Sequence, residues 1–287
     1  MPCRTPLGVR NLTAAGVIDH NGKLPFWITV PCGKCPDCRR NRINGWAFRL
    51  EQEEKRCISA HFITMTYDNE FLPITRTTGQ MTVYKKHTQD FFKRLRKTQP
   101  EIHIKYFLCA EYGGQTERPH YHAIVFNVIN PGQIIDAWRV KDQPMGNVFF
   151  GSVTPASIVY TLKYMDKPRL IPSTQSDKRN MEFQIMSKGL GSNYLTPKMV
   201  RWHMNDKYHR MYLNVDGNKK ISMPRYYKEK LYNKYERKSI GASSHADMEA
   251  RTEQQKISYK GDYIRDQIES DIQRFKKFNQ NQKKCKL

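Results

Sequence analysis

The chain has 287 residues, enough for one large domain or a domain with appendages. Its 49 Lys and Arg against 27 Asp and Glu give a net charge of +22, an excess that points to polyanions and most simply to nucleic acid. No stretch approaches the apolar length of a spanning helix, so no membrane partner is expected. The opening residues MPCRTPLGVRNL lack an apolar core and a cleavage pattern, so no secretory signal is expected. Seven cysteines, three of them tightly clustered, argue for reduced thiols in a cytoplasm rather than a secreted disulfide framework.

In chain order, residues 1–45 are rich in Gly, Pro, Arg and Cys and read as loops with short strands. A helix is predicted from about Asn44 to Lys55, with Trp46, Ala47, Phe48 and Leu50 as an uneven apolar side. Ser59–Tyr67 (SAHFITMTY) reads as a strand. Thr82–Lys97 reads as a helix capped by Thr82, with Val83, His87, Phe91 and Leu95 in its apolar stripe. His103–Glu111 and His120–Asn127 read as two strands of an antiparallel hairpin, broken by Tyr112-Gly113-Gly114-Gln115. A short helix over Gln133–Arg139 and a strand over Gly146–Val153 follow. Thr154 and Pro155 then open a helix expected to run to Lys167, before Pro168. A polar loop covers Pro172–Asn180, and a helix follows Pro197. From about Lys228 the chain is highly charged, and a helical or partly disordered tail is expected. The fold class expected is α+β: a central antiparallel sheet with flanking helices on one side. The division expected is a Cys-containing N-terminal extension at 1–58 packing on the main domain, the main domain at 59–235, and a charged tail at 236–287.

Three constellations carry chemistry. In the strand RPHYHAIVF, His120 and His122 share a face because alternate side chains do. Glu111, ending the partner strand, is the natural third ligand, with Glu117 in reserve. Two nitrogens and a carboxylate leave open positions, which suits Mg²⁺ or Mn²⁺ acting on a phosphate. The plainer reading is a pair of half-buried histidines at a sheet edge. On the following helix, Tyr160, Lys163, Tyr164 and Lys167 recur at helical spacing, so two phenols and two ammonium groups face one side. Nearby cations favour phenolate. The plainer reading is an amphipathic helix with tyrosines at its flank. The third constellation is Cys32-x-x-Cys35-x-x-Cys38, which Cys3 could join as a fourth thiolate. Structural Zn²⁺ and reduced, unmetallated cysteines both fit it. An iron–sulfur cluster would have no redox partner here.

Together these features resemble a known family. A His-hydrophobic-His strand followed by a Tyr-x-x-x-Tyr-x-x-Lys helix is similar to the HUH endonucleases, and within them to the two-tyrosine rolling-circle initiators. Phe62-Ile63-Thr64-Met65-Thr66-Tyr67-Asp68 resembles the first Rep motif. Cys109-Ala110-Glu111-Tyr112-Gly113, Arg118-Pro119-His120-Tyr121-His122, the run Pro31 to Arg39, Phe183-Gln184-Ile185-Met186-Ser187 and Pro224-Arg225-Tyr226-Tyr227-Lys228 resemble replication initiators of gokushovirus-type, single-stranded DNA microviruses. The resemblance covers roughly residues 1–235.

It implies an HUH-type fold and a site-specific nicking and joining enzyme in the host bacterial cytoplasm. Tyr160 or Tyr164 would attack origin DNA and form a 5′-phosphotyrosine. The released 3′-OH would prime a host polymerase. His120, His122 and Glu111 would hold the cation, and Lys163 and Lys167 would orient or neutralise phosphate. No Walker A pattern is present, so unwinding would fall to a host helicase. A related transposase or plasmid relaxase is a second enzymatic reading. A reading from another class is a non-catalytic, zinc-stabilised single-stranded DNA-binding or packaging protein.

Overall fold

The computed structural model describes residues 3, 5–10, 27–163, 165, 171–172, 174–215, 217 and 219–284. The first elements are strands β1 (Leu7–Arg10) and β2 (Trp27–Val30), helix α1 (Pro36–Glu54) and strand β3 (Ala60–Met65). Helix α2 (Lys85–Thr98), strands β4 (Lys105–Tyr112) and β5 (Pro119–Phe126) and helix α3 (Gly132–Ala137) follow. Then come the short strands β6 (Arg139–Val140) and β7 (Gln143–Pro144), strand β8 (Val148–Gly151) and helix α4 (Pro155–Lys163). Strand β9 (Gln184–Met186), helix α5 (Pro197–Asn205) and strands β10 (Tyr212–Val215) and β11 (Lys219–Ser222) lead to helices α6 (Arg225–Leu231), α7 (Lys234–Ser258) and α8 (Tyr263–Lys284). The chain forms two compact units, one over Trp46–Tyr194 and one over Met1–Gly45 with Leu195–Lys283.

The unit of residues 46–194 is built on a five-stranded sheet of order β8-β3-β5-β4-β9, with every pairing antiparallel. The expectation of an α+β chain with a central antiparallel sheet is met. The hairpin of β4 and β5 forms as the sequence reads, with Glu111 opposite His120 and Cys109 opposite His122. One face of this sheet is apolar: Ile63, Met65, Leu108, Tyr121, Ala123 and Val125 have no exposed surface. Phe91, Phe92 and Leu95 of α2 and Ile134 and Ala137 of α3 join them in one core cluster. Each buried Val, Leu, Ile, Phe or Met side chain among them contributes about 1.5–3 kcal/mol by leaving water.

The sheet's second face is also covered, which corrects the expectation of helices on one side. Helix α4 packs against β4 and β5. Trp46 of α1 packs on Phe107 of β4 with ring centroids 5.1 Å apart, and Glu53 accepts a 2.7 Å bond from Lys105. Strand period two explains the correction: Phe107 and Cys109 alternate with Leu108 and Ala110, so apolar residues point both ways from β4.

Helix α1 starts well before Asn44. Arg39 N–H donates to Cys35 O at 3.0 Å, Pro36 occupies the first turn, and Asp37 complements the helix N-terminus. Thr82 is not the cap of α2, whose N-cap is Tyr84. Thr82 is instead buried, its hydroxyl 3.2 Å from Tyr112 Oη and accepting from Asn180 N–H at 2.8 Å. Thr154 does cap α4, accepting from Ser157 N–H at 3.1 Å, and Thr196 caps α5, accepting from Met199 N–H at 3.3 Å.

In the other unit, β1 pairs with β2 and β10 with β11, both antiparallel. The described residues of the charged tail are helical except for the four, 259–262, that join α7 to α8. Asn233 and Glu236 form a reciprocal capping box at the start of α7. Gly45 of α1 lies under Pro224, where an added Cβ would meet Pro224 Cγ at 3.1 Å. No helix among the described residues is long and apolar enough to cross a membrane.

Candidate active site

The second face of the sheet gathers the first constellation. Glu111 and His122 are each 5% exposed, and one ligand atom from each of Glu111, His120 and His122 lies within 4.8 Å of the others. His120 Nε2 and His122 Nε2 stand 3.6 and 3.7 Å from the same Glu111 Oε2. Strand register alone produces this: Glu111 is the cross-strand partner of His120, and His122 is two residues further along the same face.

The far side of each imidazole is held. His120 Nδ1 lies 3.1 Å from Arg118 O. A carbonyl only accepts, so Nδ1 carries a proton, and in the neutral ring Nε2 turns its lone pair toward Glu111. His122 Nδ1 is 2.9 Å from Thr64 Oγ1 on β3. A backbone carbonyl and a hydroxyl in these positions fix ring orientation, as outer partners of metal-bound histidines do. Arg118 is itself anchored, donating to Asn69 Oδ1 at 2.8 Å and to Tyr67 O at 2.5 Å. An imidazole lone pair facing a carboxylate is repulsive unless a proton or cation lies between them. Two cis ligands at about 2.1 Å from one ion stand about 3 Å apart, so small rotations would close this cluster on a divalent cation. The donor set fits such an ion and leaves positions open for substrate oxygens. The reserve candidate Glu117 is turned away to an ion pair with Arg179, which also binds Asp177 at 2.9 Å.

Helix α4 brings Tyr160 to this face. Its ring centroid is 5.4 Å from that of His122 and 6.2 Å from that of Phe62, both edge-on. Phe62 stacks parallel to His122 at 6.1 Å. Cys109 donates to Thr161 O at 3.5 Å, which ties α4 to β4. Tyr160 is 43% exposed. Lys163 is exposed in the last turn of α4. Tyr164 and Lys167 lie outside the described residues.

The buried tyrosines of the opposite face differ chemically. Tyr67 Oη lies 2.9 Å from both Tyr121 Oη and His87 Nδ1. Burial pushes the Tyr121 phenol up to about 12 and the Tyr67 phenol up as well. These phenols stay protonated and inaccessible, which leaves Tyr160 as the described tyrosine set at the ligand cluster with its ring in reach of solvent.

Sequence reasoning gave no role to Thr64 or Phe62 beyond their place in a motif. It also gave none to Phe149, 58% exposed on edge strand β8 and paired in register with Thr64. An aromatic residue at the edge of a polar sheet face was the available signal for Phe149.

The thiols of the third constellation also come together. Cys3, Cys32, Cys35 and Cys38 place their sulfurs within 4.8 Å of one another. Cys109 of β4 is fully buried, and burial raises its thiol pKa.

Residues 60–169 match the family described as replication-associated protein ORF2/G2P. The chain is 28% identical over 261 residues to the replication-associated protein ORF2 of Spiroplasma virus 4, covering 80% of each chain. It is 26% identical over 290 residues to the replication-associated protein VP4 of Bdellovibrio phage phiMH2K, covering 91% of this chain and 90% of that protein. It is 27% identical over 248 residues to the replication-associated protein ORF4 of Chlamydia phage 1, covering 78% of this chain and 57% of that protein. No solved structure matches the chain. The strands and helix that bear Glu111, His120, His122 and Tyr160 thus lie within the segment matching the ORF2/G2P family, and the chain is related to phage replication-associated proteins over most of its length.

Proposed function

We propose that this chain is a replication initiator that nicks and joins single-stranded origin DNA in rolling-circle replication, by the HUH type of chemistry. The observation that carries the reading is the seating of Tyr160 beside His122, on the sheet face where two imidazoles and a carboxylate converge. Relatedness to phage replication-associated proteins and the net charge of +22 support it.

Glu111, His120 and His122 would hold a divalent cation, Mg²⁺ or Mn²⁺. When bound there, such an ion would polarise the scissile phosphate. The Tyr160 oxygen attacks phosphorus and gives up its proton to solvent. The P–O3′ bond breaks, the 5′ phosphate becomes esterified to tyrosine, and the 3′ oxygen leaves protonated as the primer for a host polymerase. The reverse attack by a 3′-OH on the phosphotyrosine restores the phosphodiester and frees the phenol. Tyr164, four residues further along the sequence, would serve the second cut. Lys163 and Lys167 would neutralise phosphate. Strand separation belongs to a host helicase, and the reaction takes place in the host cytoplasm.

The test is a denaturing gel with single-stranded origin DNA of the cognate replicon and Mn²⁺ or Mg²⁺. The reading expects a metal-dependent covalent protein–DNA band that disappears in His120→Ala/His122→Ala and in Tyr160→Phe/Tyr164→Phe. Tight binding with no adduct on a verified origin would overturn it in favour of a non-catalytic DNA-binding protein.

A further inference from the structure

The cysteines of the N-terminal region lie in three stretches of chain that the fold draws together. The β1–β2 register pairs Leu7 with Val30, so residues just before β1 come beside residues just after β2, and Cys3 meets Cys32. Cys35 and Cys38 follow at the start of α1, with Cys35 O accepting the first helical bond from Arg39 N–H. Gly33, at φ +71°, makes the turn that a side chain would resist.

The sulfur geometry is that of thiolates around one ion. Cys3 Sγ and Cys35 Sγ are 3.8 Å apart. Thiolates about 2.3 Å from a tetrahedral zinc stand about 3.8 Å from one another, whereas a disulfide would bring two sulfurs to about 2.05 Å. Backbone donors are aimed at the sulfurs. Cys32 N–H donates to Cys3 Sγ at 3.2 Å, and Cys35 N–H and Lys34 N–H donate to Cys32 Sγ at 3.2 and 3.4 Å. The Thr5 hydroxyl adds a 3.2 Å bond to Cys32 Sγ. The three donors directed at Cys32 Sγ favour its thiolate over its thiol.

We propose that Cys3, Cys32, Cys35 and Cys38 bind one zinc ion as a closed structural site. Four thiolates leave no open position, so the ion does no chemistry on substrate. Its role is to fasten the β1–β2 pair to the first turn of α1. Two strands of four residues are marginal without such a staple. Four thiolates around Zn²⁺ carry a net charge of −2, offset here by the basic residues Lys34 and Arg42, the latter donating to Gly33 O at 3.2 Å.

The full chain, purified under reducing conditions without chelator, should carry about one zinc per chain by elemental analysis. Exchange into Co²⁺ should give thiolate-to-cobalt charge-transfer absorption and the visible bands of a tetrahedral site. Cys3→Ser and Cys38→Ser should each lose most of the bound metal, whereas His120→Ala/His122→Ala should retain it. Should the cysteine variants fail to fold, the wild-type zinc content and cobalt spectrum still decide the matter. A wild-type protein that takes up no zinc on reconstitution, a cobalt spectrum without thiolate bands, or a brown iron-containing protein would each overturn the assignment.

Discussion

Ile63 and Thr64 are neighbours on β3, yet they serve opposite sides of one sheet. Ile63 is fully buried in the core formed with α2 and α3, while Thr64 reaches across to the imidazole of His122. The same division separates Tyr121 from His122 and Ala110 from Glu111. On the apolar face, residues from distant parts of the chain are interchangeable in kind, because any well-shaped hydrocarbon excludes water. On the polar face, each group has a particular partner at a particular distance. The apolar face supplies the rigidity, and the polar face uses it to hold the carboxylate and imidazoles close together.

The largest expected effect comes from breaking the polar face. His120→Ala/His122→Ala should abolish covalent adduct formation while leaving the thermal unfolding midpoint near that of wild type, checked by gel and by circular dichroism. A substitution on the apolar face should do the reverse. Leu108→Ala removes a fully buried side chain and should cost about 2–5 kcal/mol of stability. In urea titration the midpoint should fall, with adduct yield preserved at temperatures where the protein stays folded. Thr64→Val keeps the shape and deletes the oxygen beside His122 Nδ1. Loss of such an orienting contact should weaken Mn²⁺ affinity about 10-fold or more, read by isothermal titration, with far less effect on the unfolding midpoint than Leu108→Ala.

The smallest effect sharpens the comparison with a histidine used for packing. His203 in α5 is fully buried, with Nδ1 2.8 Å from Arg210 O. Burial lowers its pKa from the ordinary 6.5, so the unfolded chain binds the proton more readily than the folded one. The stability it contributes is present at neutral pH and is lost as pH falls through 6.5 toward the folded value. Urea titrations at falling pH should show that decline in wild type, and His203→Gln should flatten it without altering the pH profile of adduct formation.

Much of this was legible in the sequence where a short-range pattern does the work. Strands β3, β4 and β5 are runs of six to eight residues rich in apolar and aromatic types, and period two alone sets His120 and His122 on one face. The cap at Thr154 depends on a residue three positions away. The failures came where a distant segment decides. Thr82 has the look of a helix cap, but Tyr112 and Asn180 claim its hydroxyl. Strand β9 has three residues, too few to show a period, and exists because β4 offers an edge. The early start of α1 hides in an Arg-rich run with a glycine in it, whose cue was Pro36-Asp37 after Cys35. Thr64 and His122 are 58 residues apart, a pairing fixed by sheet register that no local spacing encodes.

The most direct test of the central claim is to digest the covalent DNA adduct with trypsin and find the phosphonucleotide by mass spectrometry. Cleavage after Lys163 separates Tyr160, on peptide 142–163, from Tyr164, on peptide 164–169. The account predicts the added mass on 142–163. Mass found only on 164–169 would preserve tyrosine chemistry but overturn the role of Tyr160, and mass on neither peptide would contradict the account altogether.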